Sequence, residues 1–157
     1  MSQIGASGTT YEKNNPSYSL IDIDAETMLP VNYRIFAFDL DAANQDGQEP
    51  DWQLYTDYAK DYDLDGGVST DSMYDLARRL TQDEDLFWDV KWDFRRRATT
   101  KHVGTTEEWQ KKSADAFCYL TSIHEREYEE CIGAKHEFPM DILIGKWKTT
   151  GRDQPVN

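Results

Sequence analysis

Only two of the 157 residues are cysteine, and no stretch of the chain is both long and apolar. The second shortage removes any expectation of a membrane-crossing helix, which needs about 20 consecutive apolar residues. Basic residues are scarce too: 17 Lys plus Arg stand against 30 Asp plus Glu, a formal charge of −13. Nucleic-acid binding needs a basic stripe, so this balance argues against it, and it makes unassisted binding to an anionic membrane unfavourable. The opening MSQIGASGTTYEKNN lacks the basic-then-apolar order of a signal peptide, so no signal of that kind is expected in this chain. Its sole Asn-x-Ser/Thr match, Asn15-Pro16-Ser17, carries the forbidden proline. There is no G-x-S-x-G elbow, no GxxxxGK loop, no CxxC and no HExxH, and His102, His124 and His136 are too widely spaced for a local metal site.

What is present is aromatic surface. Five Trp, nine Tyr and six Phe in a chain of single-domain length are enough to build a core. The pattern points to an α+β fold, an N-terminal β-hairpin followed by a mainly α-helical region. Residues 1–15 read as loose. Ser17 to Asp24 and Asn32 to Asp41 alternate in the strand period of two, and a hairpin standing alone is marginal in water. Residues 42–50 read as a turn or linker. A helix is expected over 51–62, with Trp52, Tyr55 and Ala59 on one face, then a Gly-containing break, then a helix over 71–80. Thr81-x-x-Glu84 predicts a capping box for a third helix, with Phe87 and Phe94 in its apolar stripe, Trp88 and Trp92 beside it, and Arg95–Arg97 at its negative end. Thr105-x-x-Glu108 predicts another, opening a helical pattern to about Cys131, with Gly133 as a natural stop. The tail holds an apolar group, Ile142, Leu143, Ile144 and Trp147, that suits a short docked segment.

The most metal-like stretch is Asp61-Tyr-Asp63-Leu-Asp65-Gly66-Gly67-Val68-Ser69. It supplies calcium-loop positions one, three, five, six and nine, but the twelfth is Ser72 where a bidentate Glu is needed. The competing reading is an acidic turn whose Asp side chains cap helices. Asp22/Asp24 and Asp39/Asp41 are carboxylate pairs on the same side of a strand that suit a cation, yet without a histidine or second cluster they define no phosphoesterase site. Cys118 and Cys131 lie about 20 Å apart along one straight helix. A disulfide therefore requires the helix to turn back, within about Ile123 to Glu129; two buried free thiols are the equal alternative.

The ordered set Asn15-Pro16-Ser17-Tyr18, Ile21-Asp22, Tyr33, Leu40, Ala43-Asn44 and Pro50-Asp51-Trp52-Gln53-Leu54 resembles a known succession. It is similar to the C-terminal region of the acid sphingomyelinase family of calcineurin-like metallophosphoesterases, and with the later helices the likeness spans about Thr9 to Cys131. The resemblance implies that residues 1–48 are closing strands of a truncated catalytic domain, 49–133 a helical C-terminal domain, and 134–157 a tail. It implies structural roles for Pro16, Tyr18, Trp52, Phe87, Trp88 and Phe94, and a Cys118–Cys131 bridge. It implies a secreted or lysosomal parent, in which a two-zinc centre hydrolyses sphingomyelin or a nucleotide-type phosphodiester. The family's metal ligands come from Asp-x-His and Gly-His-x-His segments that have no match in this sequence, so no catalytic or zinc-binding residue carries over. The implied partner is the catalytic domain of that parent. A non-enzymatic acidic binding domain, calcium-responsive through Asp61, Asp63, Asp65 and Ser69, is the alternative. The family's usual Arg after the tyrosine is Ser19 here, and its extra cysteine pair is missing.

Overall fold

The structure, a computed structural model, describes residues 8–10, 14–98 and 100–134. The expected docked segment Ile142–Trp147, His136 and the rest of the tail beyond Ala134 lie outside the described residues. The chain groups into two compact units, residues 1–76 with 88–103 and residues 77–87 with 104–157. The class is mixed α+β, and its sheet is open, antiparallel and three-stranded.

The first unit is built on that sheet. Strand β1 (Ser17–Ile23) pairs with β2 (Pro30–Ala37), and β2 pairs with β3 (Gln53–Asp57). Alternation along β2 turns Tyr33, Ile35 and Ala37 inward, all buried, and leaves Arg34 and Phe36 on the outer face. Outside, the Tyr18 ring stacks on Phe36 at 5.2 Å, and Trp52 meets Tyr18 at 5.0 Å and Phe38 at 4.7 Å. Two register shifts bend the sheet. One leaves Val31 out of the β1–β2 ladder and the other leaves Tyr55 out of β2–β3. The first has a use, because the Val31 carbonyl accepts the Val68 N–H at 3.0 Å.

Strand β3 corrects the helix expected over 51–62. Its residues pair with Arg34 to Ala37, and only Tyr58–Asp61 is helical (α2, following the four-residue α1, Leu40–Ala43). The spacing of Trp52, Tyr55 and Ala59 fits a helix, but Leu54, Tyr55 and Thr56 also suit a strand beside β2, and Asp57 caps α2 by accepting from Lys60 N. The hairpin of the sequence reading is thus a three-stranded sheet. Of the stretch read as loose, Asn15 at its end is buried, while residues 1–7 and 11–13 lie outside the described residues.

Helix α3 (Thr70–Arg79) starts at Ser69, whose hydroxyl accepts the Ser72 N–H while Ser72 accepts the Ser69 N–H. Helix α4 (Glu84–Phe94) starts at Asp83, which accepts the Leu86 N–H. The Thr81/Glu84 box does not form, because Asp83 takes the cap position, and the Thr81 hydroxyl donates to the Arg78 carbonyl. Phe87 and Trp88 are buried at 5% and 1% exposure, but Phe94 is 73% exposed, against its expected place in the apolar stripe.

In the second unit, α5 (Thr106–Thr121) has the expected Thr105/Glu108 capping box in full. Ser113, Ala114, Phe117 and Cys118 form its buried stripe, and the Trp109 indole donates to the Leu80 carbonyl at 3.0 Å. The helical pattern to Cys131 is not one helix. It breaks at Ser122 to His124, and α6 (Glu125–Ala134) restarts where Glu127 accepts the Ile123 and His124 N–H groups at 2.9 and 3.1 Å. Cys118 and Cys131 are bridged across this turn at a Cα separation of 5.6 Å. Gly133 does not stop α6, which runs on to Ala134.

Candidate functional site

The most interconnected polar group in the first unit is centred on Asp93, in the last turn of α4 and 6% exposed. Its two oxygens are divided. One accepts from the Tyr62 hydroxyl at 3.1 Å and the other from Arg97 Nε at 2.6 Å. The Arg97 guanidinium lies over the rings of Tyr55 and Trp92, at 5.7 and 5.2 Å, where it gains cation–π attraction. Tyr58 joins the group through its ring, edge-on to Tyr33 at 5.1 Å and to Tyr62 at 5.0 Å.

Arg96 and Arg97 both hold left-handed φ angles, 52° and 53°, which cost non-glycine residues energy. The surroundings hold this turn in place. Arg97 is tied to Asp93, and the Arg96 carbonyl accepts from Asn15 Nδ2 at 3.1 Å. The same Asn15 accepts the Leu40 N–H at 3.1 Å through its oxygen, so one amide fastens the approach to β1, the start of α1 and the end of α4. Sequence reading missed both Asn15 and Asp93 as organising residues. The available signal was Asp93 four positions before Arg97, the spacing of a helical ion pair.

This group is poorly suited to acid–base catalysis near neutrality. Burial, aided by Tyr33 and Asp93, pushes the Tyr58 phenol up to about 12. Burial and the facing Asp93 carboxylate push Tyr62 up further. Both therefore stay protonated, and Tyr62 stays a donor to Asp93. Because these folded pKa values lie above the ordinary 10.0, the stability they carry is complete below about pH 10 and is lost as pH rises through them. Alkaline unfolding followed by circular dichroism should begin above pH 10 and coincide with phenolate absorbance, and Tyr62→Phe should move it to higher pH. Asp93→Ala removes the acceptor of the Tyr62 hydroxyl bond and the ion-pair partner of Arg97, and should cost about 1–3 kcal/mol in urea unfolding.

A concavity of about 410 Å³ adjoins this group at Tyr55, with Asp39, Glu49, Asp51 and Gln53 also among its lining. Two of its carboxylates serve local geometry. Asp39 caps α1 by accepting the Ala42 N–H at 3.0 Å, and Asp51 accepts from Gln53 at 2.7 Å.

Two members of the calcium-like loop serve local geometry in the same way. Asp61 accepts the Asp57 N–H at 2.8 Å, and Ser69 caps α3. Asp63 supplies a left-handed turn residue at φ 49°. Among the described residues, no group of three or more His, Cys, Asp or Glu is placed to hold a metal ion. The carboxylate pairs are dispersed as well: Asp22 pairs with Arg34 at 2.6 Å, while Asp24 accepts the Glu26 and Thr27 N–H groups beyond the strand end. His102 packs edge-on against Trp88 at 5.5 Å.

No protein-family model matches the chain, and neither does any curated protein. Its titratable groups must be judged by geometry, and several of them serve caps, ion pairs and a buried clamp. No helix among the described residues is long and apolar enough to cross a membrane.

Proposed function

We propose that this chain is a non-catalytic, structural part of a larger phosphodiesterase of the acid sphingomyelinase-like kind. Its parent hydrolyses a phosphodiester, sphingomyelin or a nucleotide-type substrate, at a two-zinc centre supplied by a separate catalytic domain. The observation that carries the reading is the bridged α5–α6 hairpin. Cys118 and Cys131 are both fully buried and joined where the resemblance calls for a terminal disulfide. Such a bridge suits an oxidising compartment, in keeping with a secreted or lysosomal parent.

The described residues do not fit the zinc pair. Several of their carboxylates are taken by backbone N–H groups or by arginines, and no metal-holding cluster is formed among them. The role left to this chain is support, the sheet and helices holding neighbouring parts of the parent in place. The purified chain, supplied with zinc and either sphingomyelin or bis(p-nitrophenyl) phosphate, should show no hydrolysis above buffer. Zinc-dependent turnover would overturn the proposal. So would an encoding transcript whose reading frame lacks a Gly-His-x-His segment upstream of Met1.

A further inference from the structure

Arg95, Arg96 and Arg97 are the one run of three basic residues in a chain of formal charge −13. Arg95 and Arg97 are exposed, so a protease can reach them. Trypsin-like serine proteases select such a residue with an acidic specificity pocket, and they bind the substrate main chain in extended form, as an added strand is bound. This turn offers neither an extended main chain nor a free Arg97. Arg96 and Arg97 hold left-handed φ angles of 52° and 53°. The Trp92 carbonyl accepts the Arg95 and Arg97 N–H groups, and the Asp93 carbonyl accepts that of Arg96 at 2.8 Å. The Ala98 N–H returns to the Arg95 carbonyl at 3.2 Å, and the Arg97 side chain is tied to Asp93 at 2.6 Å. The run is thus covered by its conformation and not by burial.

The closed turn carries costs of its own. Left-handed backbone disfavours both arginines, and the Arg96 Nε is buried without a hydrogen-bond partner. A bond from 81 positions away helps to offset them, as Asn15 Nδ2 donates to the Arg96 carbonyl at 3.1 Å. We propose that Arg95–Arg97 is a conformationally masked cleavage site for a serine protease that cuts after paired arginines, with Asn15 as the latch. Releasing the latch lets the turn straighten. Water then hydrolyses the Arg97–Ala98 peptide bond, leaving a carboxylate on Arg97 and an amine on Ala98. Whatever displaces the segment before β1 thereby licenses the cut. The masking does not depend on the parent's reaction, and no phosphoester enters its test.

Trypsin is the probe, with early fragments of the full chain read by mass spectrometry. Cleavage in the turn should run at least about tenfold slower than in a synthetic peptide of residues 90–102, because it tracks the open population. Asn15→Asp keeps an oxygen for the Leu40 N–H but loses the donor to Arg96. It should speed cleavage in the turn by about tenfold. Arg34 lies on β2, paired on both sides, and its cleavage reports unfolding of the whole unit. The rate at Arg95–Arg97 is therefore measured relative to that at Arg34. Arg96→Gly suits left-handed backbone and removes the buried Nε, so it should slow cleavage after Arg97 by about threefold relative to the matching peptide. A relative rate that does not rise in Asn15→Asp, together with an unchanged rate in Arg96→Gly, would overturn the latch. A native chain cut in the turn as fast as the peptide would overturn the masking itself.

Discussion

Gly67→Ala should destabilise the chain by about 2–5 kcal/mol, far more than the same change at Gly66. Both glycines hold left-handed backbone, φ +81° at Gly67 and +73° at Gly66, and a side chain costs roughly 1–2 kcal/mol there. Gly66 has open space around it, so the dihedral is its whole penalty. At Gly67 an added Cβ overlaps the Val31 carbonyl oxygen, and the obstacle is backbone that no rotamer change can clear. That carbonyl is also the acceptor for Val68 N–H, so relieving the overlap pulls the loop away from β2 and strains this bond. Overpacking of this sort typically adds about 1–3 kcal/mol. Urea unfolding of the two variants side by side separates the terms. Equal losses at both positions would show that the close approach of Gly67 to β2 is unimportant.

The same loop shows why local chemistry is less legible than local structure. Asp61-x-Asp63-x-Asp65-Gly66 reads as the first half of a calcium loop, because spacing alone records which oxygens are available. It does not record that Asp61 is taken by the Asp57 N–H, or that the Gly67 backbone must pass close to Val31. Strands β1 and β2 were legible since each carries its own period-two signal, but β2 ends at Ala37, and Leu40 and Asp41 of the expected strand lie in α1 instead. β3 was not, because Gln53–Asp57 is a strand by virtue of pairing with β2 rather than by its own pattern. The Asp93 clamp lay further out of reach. Asn15 and Arg96 are 81 positions apart, and nothing local to either reveals the other. Even the Arg95–Arg97 run, read as a favourable helix end, proved to be a left-handed turn fastened by side-chain bonds.

Removing the Cys118–Cys131 bridge should have a comparable cost but a different distribution. The cysteines are 13 positions apart, and closing a loop of roughly 15 residues is worth about 3 kcal/mol in the unfolded chain. Native-state packing then decides where the loss appears. α6 has only ten residues, and Cys131 is its one buried residue. Helices shorter than about 12–15 residues are marginal alone, so α6 owes its persistence to attachment. α5 is anchored independently by Phe117, Ala114 and Ser113, by its capping box and by the Trp109 bond to Leu80. The Cys118→Ala/Cys131→Ala variant should therefore lose α6 first, while α5 persists to higher denaturant. Hydrogen exchange should show Glu125–Ala134 amides unprotected under conditions where Ala114–Cys118 amides stay protected. A uniform fall in protection across both helices would instead make the hairpin a single cooperative unit, with the bridge acting only on the unfolded state.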